Sequence, residues 1–566
     1  MKRCPECRRD YYDESLIFCL DDGSRLLDGP TLDAAPTAIL AQPGLSSEAL
    51  TETFGTAAMT NESIPERPPK KSRNLLIALA LTVAGVAVLA WAGITYFGRG
   101  STRHIESIAV MPFVNAAGNP ELEYLSDGIT ESLINSLSQV PTLSVKARSS
   151  VFTYKGKDVT PQQVAKDLVV QAVLNGRVQQ LGDQVILSVE LVDTATGNQI
   201  WGDQYTRKMS DLIQLQSEIA RDVSGNLRAK LTGAEQQKVA KNYTENPEAY
   251  QLYLRGRYHW NKRKADDIRR SIEYFQQAID KDPTYALAYA GLAEAFILFP
   301  NYRLAPAQEY YPKARAAAAR AIEIDPNLAE GHNALATVMS NFDWKFAEAE
   351  SEFRKAIELN PSYATAHQWY GEFLLSMGRY PEALSEMRKA QELDPLSLII
   401  NGMVGVVLRA GGYPEQAVEQ LKKTIEMDPN FPRTHLFLGD TYQAMGRFEE
   451  AADELATHFL LNGGPPDKTA QLLEQIKNAA RTGGEKGYSR KMAEIMEASA
   501  GPVKAPAPVI AGYWARAGET DKAFAVLEKS YAERDDGLIS IKDGKLDPIK
   551  SDPRYRDLLR RIGLPE

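Results

Sequence analysis

The sequence predicts a multidomain protein of the α/β plus α class, in which an α/β domain is followed by an α-solenoid and preceded by a membrane span. Three observations predict this architecture. An uncharged apolar run covers residues 74–97, strand and helix patterns alternate over 105–232, and the dipeptide Asp/Asn-Pro recurs at regular intervals after residue 245. A chain of 566 residues is long enough for roughly three or four domains.

Residues 1–28 form a small module that contains all three cysteines of the chain. Cys4 and Cys7 are spaced as C-x2-C, which can place two thiolates on one Zn²⁺, and Cys19 is a third soft ligand. No histidine precedes His104, so Asp22, three residues after Cys19, is the candidate fourth ligand and Asp21 the alternative. The segment resembles the short zinc ribbons that open many bacterial signalling proteins. We therefore expect a structural Zn²⁺ there, with a reduced, metal-free peptide as the other interpretation.

Residues 29–73 are rich in Pro, Ala, Ser and Thr and predict a disordered linker. The run 74–97 then predicts one transmembrane helix, because its 24 residues can cross a hydrocarbon core of roughly 30 Å. It is longer than the apolar region of a signal peptide and begins far from the amino terminus, and a buried helix is the other alternative.

The charges that flank the run predict its orientation in the membrane. Four Lys or Arg residues precede it and two follow it: Arg67, Lys70, Lys71 and Arg73 before, Arg99 and Arg103 after. This bias predicts a single-pass protein of the bacterial inner (cytoplasmic) membrane, with a cytoplasmic amino terminus and extracytoplasmic C-terminal domains. The cysteines would then lie on the reducing side of the membrane.

Residues 105–232 predict a compact α/β domain. Leu125, Ile129, Leu133 and Leu137 fall on one face of a helix, and the turn sequences GD and TATGN separate three later strands. The text from "SIAVMPFV" to "SDLIQLQSEIA" resembles the TolB-type amino-terminal (FlgO-like) domain of membrane-anchored bacterial regulators. The resemblance implies a non-catalytic module on the envelope side, and it supplies no ligand.

The repeats over 245–464 predict stacked helix pairs. Asp/Asn-Pro recurs at Pro283, Pro326, Pro361, Pro395 and Pro429, at intervals of 43, 35, 34 and 34 residues. A period of 34 residues is typical of the tetratricopeptide (TPR) repeat. Small residues recur where the two helices of a pair approach each other: Gly371, Gly405, Gly439, Ala383, Ala417 and Ala451. We count six repeats in a right-handed solenoid, followed over 465–566 by irregular TPR-like helices and a C-terminal cap.

The resemblance to TPR proteins implies a concave wall that binds a protein or peptide partner. By their position in the first helix of each repeat, seven polar residues are predicted to line this wall: Asn333, Thr337, Gln368, Glu372, Arg409, Asp440 and Gln443. Their charges are mixed, and the basic carboxylate clamp of chaperone-tail binders is not evident. The alternative is that they are solvent-facing polar residues without a partner.

The sequence contains no recognisable enzyme signature. It lacks a P-loop, H-E-x-x-H, G-x-S-x-G and kinase motifs, and its six histidines are scattered. A net charge of −9 and a pI of about 5.5 do not suggest a nucleic-acid binder. We therefore expect a non-enzymatic protein; an enzyme without a known motif would be sought near Ser126–Glu131.

These observations predict a non-catalytic, membrane-anchored scaffold or sensor that binds protein partners in the bacterial envelope. The alternative is a membrane-anchored signalling or transcriptional regulator whose output is the cytoplasmic zinc ribbon. Binding of nucleic acid by the cysteine module would favour this alternative, although the acidic residues there offset its arginines. The sequence leaves the oligomeric state open.

Overall fold

The computed structural model describes residues 105–227, 232–302, 304–498, 505–542 and 544–565, and three short strands near the amino terminus. These strands are β1 (Lys2–Arg3), β2 (Asp10–Tyr11) and β3 (Leu27–Asp28), with β1 antiparallel to both others. The predicted zinc ligands Cys4, Cys7, Cys19 and Asp22 lie outside the described residues, as do the predicted linker and span. None of the helices that the structure describes is long and apolar enough to cross a membrane.

The α/β domain begins at residue 105 and contains a six-stranded mixed sheet. Its strands are β4 (Ser107–Val110), β5 (Val114–Asn115), β6 (Ser144–Val145), β7 (Ala172–Leu181), β8 (Gln184–Asp193) and β9 (Gln199–Lys208). The order is β6-β4-β7-β8-β9, with β5 also paired to β7; β4, β5, β6 and β7 run parallel and β7-β8-β9 form an antiparallel meander. The helices are α1 (Glu123–Ser138), α2 (Arg148–Phe152), α3 (Pro161–Leu168) and α4 (Leu212–Asn226).

Helix α1 is buried on more than the one face that its sequence predicts. Leu125, Ile129, Leu133 and Leu137 are buried in the core, as their spacing predicts. The polar residues Asp127 and Glu131 on the same helix are also buried. They are covered because α1 packs against the first helix of the repeat array as well as against its own domain.

The repeat array contains six helix pairs, preceded by the short helix α5 (Gly233–Val239). The pairs are α6 (Pro247–Asn261) with α7 (Ala265–Lys281), α8 (Ala286–Asn301) with α9 (Ala307–Ile324), α10 (Ala329–Val338) with α11 (Phe346–Leu359), α12 (Ala364–Ser376) with α13 (Tyr380–Leu393), α14 (Leu398–Ala410) with α15 (Pro414–Met427), and α16 (Pro432–Ala444) with α17 (Phe448–Leu461). The six helix pairs match the repeats that the sequence pattern predicts.

The region beyond the sixth pair continues the helical array. Helix α18 spans Pro466–Ala498, and Gly484 within it has non-helical backbone angles, so two helical segments meet at this glycine. The last elements are α19 (Ala507–Arg516), α20 (Thr520–Ala532), a 3₁₀ helix (Asp536–Lys542) and α21 (Pro553–Ile562). Leu527 on α20 is buried, and Tyr531 stacks on Trp344 at 5.6 Å between ring centroids. The end of the chain therefore contacts the third repeat.

In three of the repeats, a histidine contacts both the second helix of its pair and the preceding turn; we call these two contacts the brace. His367 Nδ1 lies 2.7 Å from Glu386 Oε2 on the second helix of its pair, and its Nε2 lies 3.0 Å from the Pro361 carbonyl. His332 and His435 make the same two contacts in their own repeats. The structure shows that each one joins the two helices of a repeat to the preceding turn.

The repeat at residue 395 makes the same brace with different side chains, which provides a matched test. There Asn401 Nδ2 donates to the Pro395 carbonyl (2.8 Å), and Gln420 Nε2 donates to Asn401 Oδ1 (3.2 Å). We expect His367→Ala to cost about 1–3 kcal/mol, because it removes the partner of the half-buried Glu386 carboxylate and Pro361 carbonyl. The midpoint of thermal unfolding, followed by circular dichroism, should fall by several degrees. The double change His367→Asn with Glu386→Gln should recover most of this lost stability. If both variants lost the same stability, these hydrogen bonds would not be what stabilises the repeat.

Candidate partner-binding site

Five of the seven predicted wall residues lie half-buried on the first helices of the later repeats. These are Gln368, Glu372, Arg409, Asp440 and Gln443. Gln368 Nε2 donates to Glu372 Oε1 (2.9 Å), so these two side chains lie side by side on α12. Burial raises the pKa of Glu372, and nearby Arg433 partly offsets this effect. We call this surface of α12, α14 and α16 the groove.

The prediction for Asn333 and Thr337 needs correction, because neither residue is accessible. Asn333 is 0% exposed, and Thr337 donates its hydroxyl to the Asn333 carbonyl at 2.9 Å. The physical reason is that α10 packs against both α8 and α12, so its polar face lies inside the array. The accessible wall therefore begins one repeat later than predicted.

The C-terminal segment borders the groove. Lys545 Nζ forms an ion pair with Asp440 Oδ2 at 3.1 Å, and both side chains are largely buried. The Tyr380 hydroxyl donates to the Lys542 carbonyl (2.8 Å), and Arg534 donates to the Phe342 carbonyl (3.3 Å). A partner that contacts Asp440 must therefore compete with, or add to, this internal ion pair.

An arginine on the first repeat helix joins the α/β domain to the array. Arg257 on α6 donates to Glu131 on α1 (2.7 Å) and to Glu294 on α8 (2.7 Å). Asn261 donates to the second oxygen of Glu131 (2.7 Å), and the Tyr363 hydroxyl donates to Glu294 (2.8 Å). We call these five residues the junction cluster; it connects α1 with α6, α8 and the start of α12.

The charges of the junction cluster compensate one another despite their burial. Burial raises the pKa of Glu131, but the guanidinium groups of Arg257 and Arg148 outweigh it and hold this pKa below its ordinary value. The pKa of Arg257 is raised, because Glu131 and Glu294 outweigh the effect of its burial. Buried ion pairs of this kind are costly to break, since the remaining charge has no solvent around it.

The second contact between domain and array follows the Asp/Asn-Pro turns. The residue before the proline in four successive turns is hydrogen-bonded to the α/β domain or to the segment that joins it to the array. Asp282 accepts from Thr244 (2.5 Å), Asp325 from Lys241 (2.6 Å) and Asp394 from Ser150 (2.5 Å), and Asn360 donates to Ser138 (3.0 Å). Ser149 also donates to Asp394. The joining segment therefore contacts the first two of these turns and the domain contacts the next two.

A small cavity lies where domain, joining segment and repeats meet, and Glu330 lines it. The cavity has a volume of about 40 Å³ and is also lined by Tyr243, Tyr253 and Tyr285. Glu330 Oε2 has no hydrogen-bond partner among the described residues. Burial, with a smaller contribution from Glu294, raises the pKa of Glu330 to about 7.

This raised pKa predicts a pH dependence of stability with a definite sign. A carboxyl whose pKa is raised on folding stabilises the native state in its protonated form, so its contribution is lost as the pH rises from 4.5 through 7. We expect Glu330→Gln to raise the midpoint of thermal unfolding at pH 8 and to leave it nearly unchanged at pH 4.5. If Glu330→Gln changed the midpoint of thermal unfolding by the same amount at pH 4.5 and pH 8, Glu330 would not ionise across this range.

The sequence analysis missed the junction cluster, although one signal for it was present. Thr337, Glu372 and Asp440 each lie eleven residues after the proline of their turn, and Glu294 lies eleven residues after Pro283. Extending the same count to the earliest turn would have placed Glu294 on the wall. Within the described residues, no group of three or more His, Cys, Asp or Glu side chains is arranged to hold a metal ion.

The comparisons with protein families assign both parts of the chain. Residues 103–221 match the family described as the HilA/YgeH-like transcriptional regulator, second domain. Residues 345–397 and 408–476 match tetratricopeptide repeat families. The chain therefore contains a region similar to the second domain of HilA/YgeH-like regulators, followed by regions similar to tetratricopeptide repeats. The resemblance of 105–232 to the TolB-type domain stays a prediction.

A curated relative is named "Putative adenylate cyclase 3", from Rhizobium meliloti (strain 1021). It is 34% identical over 238 residues, which are 41% of this chain and 40% of the relative. The chain thus matches less than half of that protein's length.

Several solved structures are similar to parts of the chain, all with low TM-scores. The chain is 21% identical to YrrB, a TPR protein with an unusual peptide-binding site, with 36% of this chain and 97% of that chain covered and a TM-score of 0.26. Pseudomonas aeruginosa PilF is 25% identical, with 37% and 92% covered and a TM-score of 0.28. A monomeric mutant of IFIT1 is 15% identical, with 62% and 76% covered and a TM-score of 0.36.

Proposed function

We propose that this protein is a signalling or transcriptional regulator in which the docked α/β domain and repeats receive a protein or peptide partner in the groove. The observation that carries the proposal is the match of residues 103–221 to the second domain of HilA/YgeH-like transcriptional regulators. The similarity to a putative adenylate cyclase supports a role in signalling. The junction cluster supports it physically, because it connects the α/β domain to the repeat that begins the groove.

The remaining parts of the proposal concern the amino-terminal region. The apolar run 74–97 anchors the chain in a membrane, with the α/β domain and repeats outside the cytoplasm and the cysteine module inside as the output. Protease treatment of spheroplasts should cut a tag at the C-terminus and spare one at the amino terminus. The reverse pattern would place the groove, and the search for its partner, in the cytoplasm.

The cysteine module holds one structural Zn²⁺ through Cys4, Cys7, Cys19 and Asp22 in this proposal. The C-x2-C spacing supports two of these ligands, while Asp22 rests on its spacing from Cys19. Elemental analysis of the purified chain should give about one zinc per molecule, and Cys7→Ser should lose it. A parent chain without zinc would contradict this part of the proposal.

The chain itself performs no catalysis in this proposal. The relative's printed name makes cyclase activity the reaction to test, by incubating the purified chain with ATP and measuring cyclic AMP. Formation of cyclic AMP above the level of a buffer control would contradict a non-catalytic role.

The regulatory role is tested by transcript profiling in the native host. A strain that lacks the chain should change a defined set of transcripts, and the parent chain should restore them. Glu372→Arg in the groove and Cys7→Ser in the module should both fail to restore them, whereas Lys355→Ala, an exposed change on α11, should succeed. If the deletion leaves transcripts unchanged, the chain is a scaffold rather than a regulator.

A further inference from the structure

The two edges of the sheet differ in what covers them. Strand β6 is covered by the array, because Ala147 N–H donates to the Leu393 carbonyl (2.9 Å) and Lys146 Nζ to the Glu392 carbonyl (2.7 Å). Strand β9 forms the opposite edge, where β8 is its only partner among the described residues, and most of its ten residues are exposed. An exposed edge strand of this length is a template for pairing with another strand.

The hydrogen bonds of β9 show which of its backbone groups face outward. Met209 N–H donates to the Asp183 carbonyl (2.8 Å), which continues the ladder between β9 and β8. Because hydrogen-bonded positions alternate in an antiparallel pair, the odd-numbered residues of β9 bond to β8. The even-numbered residues, including Gln204 and Thr206, therefore direct their N–H and C=O groups away from the sheet.

Two side chains cap these outward groups within the chain itself. Gln204 N–H donates to the Asp203 carboxylate (2.7 Å), and Arg207 Nη1 donates to the Thr206 carbonyl (3.0 Å). Arg207 also pairs with Glu218 on α4, at 2.8 Å. The edge therefore carries one acidic and one basic cap, four residues apart and on the same face of the strand.

We propose that β9 is a homodimer interface, in which it pairs antiparallel with β9 of a second copy around a two-fold axis at Tyr205. In this register Gln204 of one copy lies opposite Thr206 of the other, so the two capped groups bond to each other. Asp203 and Arg207 are then released and lie opposite each other in a non-hydrogen-bonded pair, where cross-strand side chains are closest. The dimer has two such ion pairs by symmetry.

The charges favour this occupant over an unrelated strand. Charged side chains, especially lysine, commonly protect an edge strand from pairing. Here Asp203 and Arg207 carry opposite charges. When two β9 strands pair around a two-fold axis at Tyr205, each of these residues faces the oppositely charged residue of the other copy. The contact is small, so we expect a weak dimer that is strengthened wherever the chains are concentrated.

Cysteine cross-linking in the full chain tests the register. Gln204→Cys and Thr206→Cys are made in separately tagged chains, since both positions are exposed. On oxidation with copper phenanthroline, the mixture should give a disulfide that joins the two introduced cysteines, mapped by mass spectrometry, at a yield at least 10-fold above either chain alone. The parent chain, with its three native cysteines, gives the background.

Charge reversal tests the ion pairs in the same assay. Asp203→Arg added to both chains should lower the disulfide yield at least 5-fold, because like charges then face each other in both pairs. Mixing Gln204→Cys chains that carry Asp203→Arg with Thr206→Cys chains that carry Arg207→Asp should restore the yield, since both pairs become attractive again. Three results would overturn the proposal. They are self-linking of chains that carry Gln204→Cys alone, a monomer in sedimentation together with no disulfide, and linkage of this edge to a different protein.

Discussion

Replacing Arg257 with methionine should lower the stability of the protein by about 3–5 kcal/mol, because the buried Glu294 loses its ion-pair partner and the buried Glu131 keeps only Arg148. The midpoint of thermal unfolding should fall by about 10 °C. Amides of α1 should also exchange faster with deuterated solvent, since the substitution weakens the contact of that helix with the array. Differential scanning calorimetry and hydrogen exchange measured by mass spectrometry give the two results.

Arg269→Met is the matched control for this change. Arg269 pairs with Asp266 on the surface of α7, where both side chains are largely exposed, so its loss should cost less than about 0.5 kcal/mol. Adding Glu131→Gln to Arg257→Met should recover part of the loss, because it removes the charge of one of the two buried carboxylates that lose Arg257. If Arg257→Met and Arg269→Met lowered the midpoint of thermal unfolding by the same amount, the junction cluster would not hold the domain in place.

The second large effect is expected at Gly405, where α14 approaches α15. A Cβ atom at this position would lie 2.6 Å from Leu421 Cγ, closer than side-chain atoms can pack. Gly405→Val should therefore force the two helices apart and cost about 3 kcal/mol, seen as a lower midpoint of thermal unfolding.

Gly225 gives the control, since it is also helical but has open space around its α-carbon. Gly225→Val should be neutral or slightly stabilising, because valine has a better helix propensity than glycine. If Gly405→Val and Gly225→Val had the same effect, the close approach of the helices would not explain the recurrence of small residues at 371, 405 and 439.

The repeats could be predicted because their information is local and periodic. The Asp/Asn-Pro dipeptides and the glycines at Gly371, Gly405 and Gly439 recur at one interval, and each repeat must bury the same positions against its neighbours. The α/β domain was predictable for a similar reason, since strand alternation and turn residues at Gly182 and Gly197 are local signals.

The docking of the two parts could not be read from the sequence. Arg257 and Glu131 are 126 residues apart, and no period connects a helix of the domain with a helix of the repeats. For the same reason, the Asp/Asn-Pro pattern does not indicate that Asp325 binds the joining segment or that Asp394 binds the domain. The burial of Asn333 follows from the packing of α10 against α8 and α12 and has no local signature.

The most direct test of a partner-binding groove is photo-crosslinking in the native host. A photoreactive amino acid is placed at Gln368 or Gln443 in the groove and, as the control, at Lys355 on α11. We expect the two groove positions to give the same discrete protein adduct, lost in a Glu372→Arg background, and Lys355 to give none. The absence of adducts at both groove positions, or the same adducts at Lys355, would contradict a regulator that receives its partner in the groove.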